Sequence, residues 1–475
     1  MDIKAVEALM SGTCGLVKNR PVLVGVSGGP DSMSLCHLLV SSGYPCIAAH
    51  FDHNLRPESA VEAGQVRIFA GNLDIPFTGG SGDVSAYAIQ GRLSLEEAAR
   101  NLRYRFLFEE ARRWSAQAVA VAHNADDQVE TVLMHLIRGS GLGGLKGMSY
   151  RSVLPEWDAA LPLVRPLLGT WRTEIIEYCR EHSLDPAMDR TNEEPIFLRN
   201  RVRLELIPSL VSYNPQVKAA IWRLAKTLEG DQEVLDQAAA DAWKRCCTLV
   251  YREEVQLSAV EFQQLPVGLQ RSVLRQAVAC IHPGLRDIDF ETVERGLAFT
   301  SRPNGRGFTE LSGGVGLLLE GSNFVILTRK ALQGSEAWPR IDQGACLPLE
   351  LPGTIELAPG WLLSAGKHDS RFEKPWEECE DTFQAWLDMD ALSVDLCVRP
   401  RRPGDLFAPL GLGGHVQKLS DFMVNSGMPR RGRAGWPMVV AAAGIAWVPG
   451  YRPAHFCRVT DKTKHIIHLH LYRAS

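Results

Sequence analysis

Short apolar runs alternate with amphipathic stretches of helix length through the first 140 or so residues. Val22 to Val26, Cys46 to Phe51, Ile75 to Thr78 and Ala118 to Ala122 read as strands, being short, apolar and rich in small or branched side chains. Between them Glu58 to Leu73, Ser94 to Trp114 and Asp126 to Arg138 carry helical spacing, and Ser94 with Glu97 has the form of a capping box. Strands that alternate with helices predict a parallel sheet covered on both faces. Ligands of such sheets lie outside the carboxyl ends of the strands, where Ser27 to Ser32, Asp52-His53 and His123 to Glu130 fall. Three separate segments are thereby brought to one crevice.

Beyond residue 138 the pattern changes. Gly139, Gly141 and Gly144 match G-x-G-x-x-G in form, but they follow a helix instead of a strand, which excludes a dinucleotide fingerprint. Arg138 to Met148 reads instead as a glycine-rich loop beside the site that substrate orders. A helix from Arg172 to His182, a polar turn at Asp189 to Asn192 and a short basic helix from Arg199 to Arg203 complete an α/β domain over residues 1–210. Val217 to Ala242, Ser258 to Gln263 and Gly268 to Ile281 predict a mostly helical middle domain over 211–330, ending in a strand-like area. Residues 331–397 read as a connecting region, and the function of Gly314 to Gly366 is not legible. A small α+β domain then occupies 398–475, with a helix from Val416 to Asn425 and two strands between Trp436 and Tyr451 that turn at Val448-Pro449-Gly450.

Length and composition narrow the class. A chain of 475 residues suggests about three domains. Its 45% hydrophobic and 22% charged residues are those of a globular protein. There is no signal-peptide pattern and no uncharged apolar run long enough to span a bilayer, so a cytoplasmic location without membrane attachment is expected. The 11 cysteines are scattered without a C-x-x-C, which points to reduced thiols and away from a zinc ribbon. Net charge is −4, yet Arg399 to Ser475 holds 12 Lys and Arg against 3 Asp, a balance of +9. Such asymmetry suits a polyanion bound at the C-terminus.

The sharpest chemistry lies at the first strand-to-helix turn, Ser27-Gly28-Gly29-Pro30-Asp31-Ser32. Adjacent glycines let backbone amides approach a ligand, and the helix that follows offers unpaired N–H groups and the positive end of its dipole. An anion fits there, with Ser27 and Ser32 adding hydroxyls. Asp31 would repel phosphate unless it holds a divalent cation or a hydrogen-bond donor. The same turn also admits a plain reading, in which the glycines supply the bend and Asp31 or Ser32 caps the helix. His123, Asp127 and Glu130 have i, i+4, i+7 spacing and would share a helix face if the helix included His123. Asn124 as N-cap, with Asp126 and Asp127 satisfying the dipole, accounts equally for those residue types.

The hexapeptide SGGPDS resembles the pyrophosphate loop of the ATP pyrophosphatase superfamily. With His50 to Arg56, Glu96 to Arg100, Arg103-Tyr104, Ala122 to Thr131, Arg165 to Leu168, Arg199 to Arg203 and the run from Pro409 to Val439, the chain is similar to the bacterial tRNA(Ile)-lysidine synthetases. The resemblance implies an adenine-nucleotide α-hydrolase-like domain and ligation of the ε-amine of free L-lysine to C2 of the wobble cytidine of an isoleucine tRNA with a CAU anticodon. ATP would go to AMP and pyrophosphate through an adenylated cytidine. On this basis Ser27, Gly28, Gly29, Pro30, Asp31 and Ser32 bind ATP, and Asp31 is the candidate ligand for Mg2+. Asp127 or Glu130 binds lysine and takes its proton, with His123 assisting the phosphate step. Arg199, Arg201, Arg203, Arg430, Arg431 and Arg433 are the candidate tRNA contacts, and Arg100 and Arg103 could face ATP or tRNA, with pairing to Glu96 or Glu97 one turn earlier the plain alternative for Arg100. Many relatives carry histidine where this chain has Asn124, so no catalytic weight falls there. A homodimer is left open.

Three other functions compete. A tRNA 2-thiolation enzyme of the same superfamily would commonly need catalytic cysteines, and none lies near the loop. A non-catalytic nucleotide-dependent RNA-binding protein would have no use for Asp31, Asp127 and Glu130 together. A small-molecule synthetase would leave the basic C-terminus unexplained.

Overall fold

A computed structural model describes residues 1–53, 59–187, 198–283, 288–302, 307–333, 338–358, 360–368, 375–392 and 395–474. Asn54, Leu55 and Arg56, and the polar turn at Asp189 to Asn192, lie outside the described residues. The chain forms two compact units, Met1–Asp236 and Gln237–Ser475.

The first unit contains α1 (Ile3–Ser11), β1 (Val22–Gly25), α2 (Pro30–Ser41), β2 (Cys46–Asp52), α3 (Ser59–Asn72), β3 (Phe77–Ser81), α4 (Val84–Gly91), α5 (Leu95–Arg113), β4 (Val119–Ala120) and α6 (Ala125–Ile137). There follow α7 (Leu142–Leu145), β5 (Arg151–Leu154), β6 (Asp158–Val164), α8 (Arg172–Glu181), α9 (Leu198–Arg201), a π-helical turn Val202–Leu206, α10 (Ile207–Tyr213) and α11 (Val217–Cys246). The sheet order is β3-β2-β1-β4-β6-β5, parallel except for the antiparallel edge strand β5. Period-two alternation in β1 divides two cores: Val22 and Val24 pack with Leu35, Leu38 and Leu39 of α2, whereas Leu23 packs with Tyr104, Leu107 and Phe108 of α5. The parallel sheet covered on both faces is as the sequence implies. Ser94 caps α5 by accepting from the Glu97 amide at 3.2 Å.

The expected boundary at residue 210 does not divide the compact units. Leu206, Ile207, Leu210, Ile221 and Trp222 pack on Val129, Leu133 and Val202, so the start of the supposed middle domain is glued to α6 by apolar burial. The glycine-rich segment after α6 is likewise no free loop. Gln128 accepts from the Met148 amide at 2.8 Å and donates to the carbonyls of Lys146 and Met148 at 3.1 and 3.0 Å, pinning it.

In the second unit β7 (Cys247–Tyr251), β8 (Glu254–Ser258), β9 (Phe308–Glu310), β10 (Val315–Glu320) and β11 (Asn323–Thr328) form an antiparallel sheet in the order β7-β8-β11-β10-β9. Helices α12 (Ala259–Gln264), α13 (Val267–Ile281) and α14 (Phe290–Thr300) join it in one apolar cluster. Residues 331–397 are not a connector. Strands Gly353–Leu357, Trp361–His368 and Gln384–Asp388 form a sheet with the last strand, Ile466–Arg473, and Leu347–Pro348 pairs with Cys397–Arg399. The strands beyond residue 398 thus take partners from this region for their backbone groups. The late hairpin pairs Met438–Ala441 with Gly444–Val448 about a turn at Ala442-Ala443, and the expected turn at Val448-Pro449-Gly450 is also present, folding Gly444–Val448 onto Arg452–Pro453. The expected helix from Val416 begins at Leu419.

Candidate active site

The loop at the end of β1 is held by one hydroxyl. Ser32 Oγ accepts from the Ser27 amide, donates to the Gly29 carbonyl and touches Ser27 Oγ, each at 3.1 Å. Ser32 is thus the brace of the loop, buried within it, while Ser27 is exposed. Gly28 sits at φ 90° and Gly29 is the N-cap of α2. The first-turn amides of α2 have no carbonyl four residues earlier, so this turn presents N–H groups and a dipole end as a cradle for anions.

Asp31 lies in the first turn of α2 beside this cradle. Its Oδ1 accepts from Asn124 Nδ2 at 3.0 Å, and its Oδ2 lies 3.7 Å from Arg172 Nη1. Burial raises its pKa against the opposing pull of Arg172 and Asn124. Asn124 is the link that sequence reasoning set aside. Its Oδ1 accepts from the Asp127 amide at 3.0 Å, while Asp127 Oδ2 accepts from the Asn124 amide at 3.0 Å, a complete capping box on α6. The capping reading of this segment therefore holds. An N-cap asparagine needs only its oxygen for the helix, which leaves its NH2 group for a second partner; here that partner is Asp31. Asp126 ties the same turn to its surroundings by accepting from the Arg172 amide at 3.0 Å and pairing with Lys218.

His123 is not on the helix face that its spacing suggested, because α6 starts at Ala125 behind an extended Asn124. The imidazole is held well below its ordinary pKa by burial and by Arg165, Arg103, Arg199 and Arg100, and its Nδ1 has no partner among the described residues. Both influences favour the neutral ring. His53, at the end of β2, is likewise pushed down to about 4 by burial and Arg103. Arg100 and Arg103 both lie over the Tyr104 ring, 4.6 and 5.5 Å from its centroid.

Glu130 is committed. Arg203 Nε donates to its Oε1 at 2.6 Å and Arg203 Nη2 to its Oε2 at 3.1 Å, with Arg199 Nε at 3.4 Å; the side chain is 1% exposed. Direct contact between Glu130 and a lysine ammonium, as expected from the sequence, is therefore blocked by arginines that satisfy it first. Asp127 differs. Its Oδ1 is only 3.5 Å from Arg203 Nη2, and its side chain is 18% exposed. Arg199 also donates to Thr131 Oγ1 at 3.0 Å. Of the three basic residues assigned to RNA here, only Arg201 turns outward, pairing with Glu205 at 3.5 Å. Arg199 and Arg203 instead line the crevice, because the packing of Val202 on Val129 and Leu133 turns them toward α6.

Comparison with known proteins finds matches at both ends of the chain. Residues 3–210 match the PP-loop domain family and residues 396–470 the TilS substrate C-terminal domain family. The tRNA(Ile)-lysidine synthase of Dehalococcoides mccartyi (strain CBDB1) is 33% identical over 456 residues, covering 94% of each chain. The synthase of Symbiobacterium thermophilum is 34% identical over 90% of this chain and 89% of its own, and that of Geobacter sulfurreducens 33% identical over 92% and 90%. The chain belongs to the tRNA(Ile)-lysidine synthase family.

The C-terminal arginines have divergent surroundings. Arg430 is exposed and Arg433 Nε donates to the Met428 carbonyl at 2.8 Å. Arg431 does not face solvent as expected; it is 10% exposed between Glu254 and Glu320. Among the described residues no helix is long and apolar enough to cross a membrane.

The loop's dependence on Gly28 gives a first expected result. A Cβ at this position would meet only Val66 at 3.6 Å, so space is available, but φ 90° is strained for any L side chain. Gly28→Ala is expected to cost about 1–2 kcal/mol of stability in thermal or denaturant unfolding and to weaken ATP binding, because the strain is relieved only by moving the cradle.

Proposed function

We propose that this protein joins the ε-amine of free L-lysine to C2 of the wobble cytidine, position 34, of an isoleucine tRNA with a CAU anticodon. The product, lysidine, would shift codon reading to AUA and identity from methionine to isoleucine. The observation that supports this most is the likeness to lysidine synthases over 94% of the chain, with the PP-loop and C-terminal matches in their places.

The chemistry has two steps. Cytosine O2 attacks the α-phosphorus of ATP, the bond to the β-phosphate bridge breaks, and pyrophosphate leaves. The lysine nitrogen then attacks C2, and AMP departs with the former O2, now a phosphate ester oxygen and a far better leaving group than oxide. For the first step, the N–H groups of Gly28, Gly29, Asp31 and Ser32 and the Ser27 hydroxyl would hold the departing pyrophosphate, with Pro30 shaping the turn without a donor of its own. Among the described residues no group of three His, Cys, Asp or Glu side chains could hold a metal. Asp31, with Asp127 near enough to raise its pKa, nonetheless suits Mg2+, which binds through one or two carboxylates plus phosphate oxygens. When bound it would neutralise charge on the phosphates. Arg172 and Asn124 keep Asp31 pointed into the cradle.

In the second step an ammonium with a pKa of about 10.4 must lose a proton before it attacks. Asp127 is the acceptor on this reading: its Oδ2 is used by the helix cap, and its Oδ1, 3.5 Å from Arg203 Nη2 on a side chain 18% exposed, would face the amine. Glu130 holds Arg203 in place beside it. Arg430 and Arg433 contact the tRNA backbone, giving grip with little sequence reading. The substrates are thus ATP, free lysine and tRNA, and a homodimer is compatible with this reading.

The deciding experiment incubates the protein with α-labelled ATP and a CAU-anticodon isoleucine tRNA, with and without lysine, and weighs the nucleosides. AMP release and a cytidine heavier by lysine minus water are expected. Sulfur incorporation from a donor, or no modified base despite tRNA binding, would overturn the proposal.

A further inference from the structure

The loop from Pro429 to Gly435 lies in the C-terminal domain, while Glu254 of β8 and Glu320 of β10 belong to the middle five-stranded sheet. Arg431 joins them. Its Nη2 donates to Glu320 Oε2 at 2.8 Å and to Glu254 Oε1 at 3.3 Å, its Nη1 to the Ala331 carbonyl at 3.1 Å, and its Nε to Glu320 Oε2 at 3.2 Å. The guanidinium also lies 4.8 Å from the centroid of the Trp338 ring. Glu254 is fully buried, and two carboxylates surround one cation. Every nitrogen of the fork is used by protein, and the cluster carries net negative charge, which repels phosphate.

The loop is shaped for this contact. Gly432 comes so close to Trp338 and Trp436 that a Cβ would lie 3.1 and 3.2 Å from them. Its amide donates to the Pro429 carbonyl at 3.0 Å. Arg430, next in the chain, is exposed. A second cation, Arg473 of the last strand, lies 4.7 Å from the Tyr251 ring centroid on the same middle sheet.

We infer that Arg431 is a positioning residue for the tRNA, a rivet between the C-terminal loop and the middle sheet that fixes where Arg430 is presented and itself touches no phosphate. The inference rests on the proposed reading that this domain grips tRNA. A bidentate fork between two carboxylates is a geometry that lysine cannot reproduce. Fixing the loop before binding removes an ordering cost from the complex. Loss of the rivet is therefore a loss of tRNA affinity without a loss of chemistry.

The test compares full-length Glu320→Gln, Arg431→Lys and Arg430→Ala with the parent for tRNA affinity across a salt series and for KM and kcat in lysidine formation. Thermal unfolding sets a temperature at which each is folded. Glu320→Gln removes a negative charge, so plain electrostatics favours tighter RNA binding; the rivet demands the opposite, a tRNA KM raised about three- to tenfold with kcat and salt slope unchanged. Arg431→Lys keeps the charge and should show the same rise. Arg430→Ala should reduce the salt slope by about one. Unchanged or tighter binding by Glu320→Gln, or parental KM in Arg431→Lys, would overturn the rivet. If the parent protein itself binds no tRNA, the functional reading fails and the inference falls with it.

Discussion

Asp127→Asn is expected to leave pyrophosphate release from ATP and tRNA near the parental rate while cutting lysidine formation by about 10²–10⁴-fold. The substitution isolates one property of the side chain. An asparagine oxygen can still accept from the Asn124 amide, now made at 3.0 Å, so the capping box and the position of Asn124 against Asp31 survive. What disappears is the capacity of Oδ1 to take a proton from the lysine ammonium. Quantifying pyrophosphate and AMP separately distinguishes the steps, because the first leaves on adenylation and the second only when lysine attacks. Equal loss of both products would show that Asp127 acts on the phosphate transfer, and the proton would then need another acceptor. Raising the pH should partly rescue the variant, since a larger fraction of free lysine is then already neutral.

The contrast between Asp127 and Glu130 shows what a sequence carries and what it does not. Both carboxylates stand at helical spacing near the same strand end, and the pattern that puts them there, apolar runs alternating with amphipathic stretches, was enough to give the parallel sheet and its crevice. Local periodicity encodes such a sheet because each strand and helix must bury one side. Partner choice is a different matter. Glu130 is claimed by Arg203, 73 residues later in the chain, through the packing of Val202 against Val129 and Leu133. No spacing rule reports a contact of that separation. Asn124 was missed for a related reason: an N-cap is a sufficient account of an asparagine before a helix, and its second bond, to Asp31, crosses 93 residues. The region 331–397 looked shapeless because its strands are short and two-sided, and their partner strand, Ile466–Arg473, lies at the far end of the chain. Arg431 misled in the opposite direction. Its neighbours Arg430 and Arg433 make the run look like a solvent-facing basic patch, whereas the buried Glu254 and the partly buried Glu320 of the middle sheet claim it.

Arg203→Ala should be the most destabilising change in the crevice, by about 3 kcal/mol, and more so than Glu130→Gln. The asymmetry follows from exposure. Glu130 is 1% exposed and cannot reach water once its partner is gone, whereas Arg203 is 28% exposed and can. Removing Arg203 strands a buried charge; neutralising Glu130 does not. A double variant, Arg203→Met with Glu130→Gln, should recover much of the loss, giving strong non-additivity in denaturant unfolding. The pH dependence has a definite sign. Burial already pushes the Glu130 carboxyl above its ordinary pKa, with Arg203 opposing that rise, so deleting Arg203 lifts it further. A carboxyl whose folded pKa exceeds its unfolded value adds stability below the unfolded pKa and loses it as pH climbs through the folded one. The Arg203→Ala defect is accordingly smaller in mild acid than at pH 8. Equal destabilisation by the two single variants, or a defect that shrinks as pH rises, would mean that Glu130 finds another counter-charge, and Arg199, 3.4 Å from the same carboxylate, is the residue to delete next.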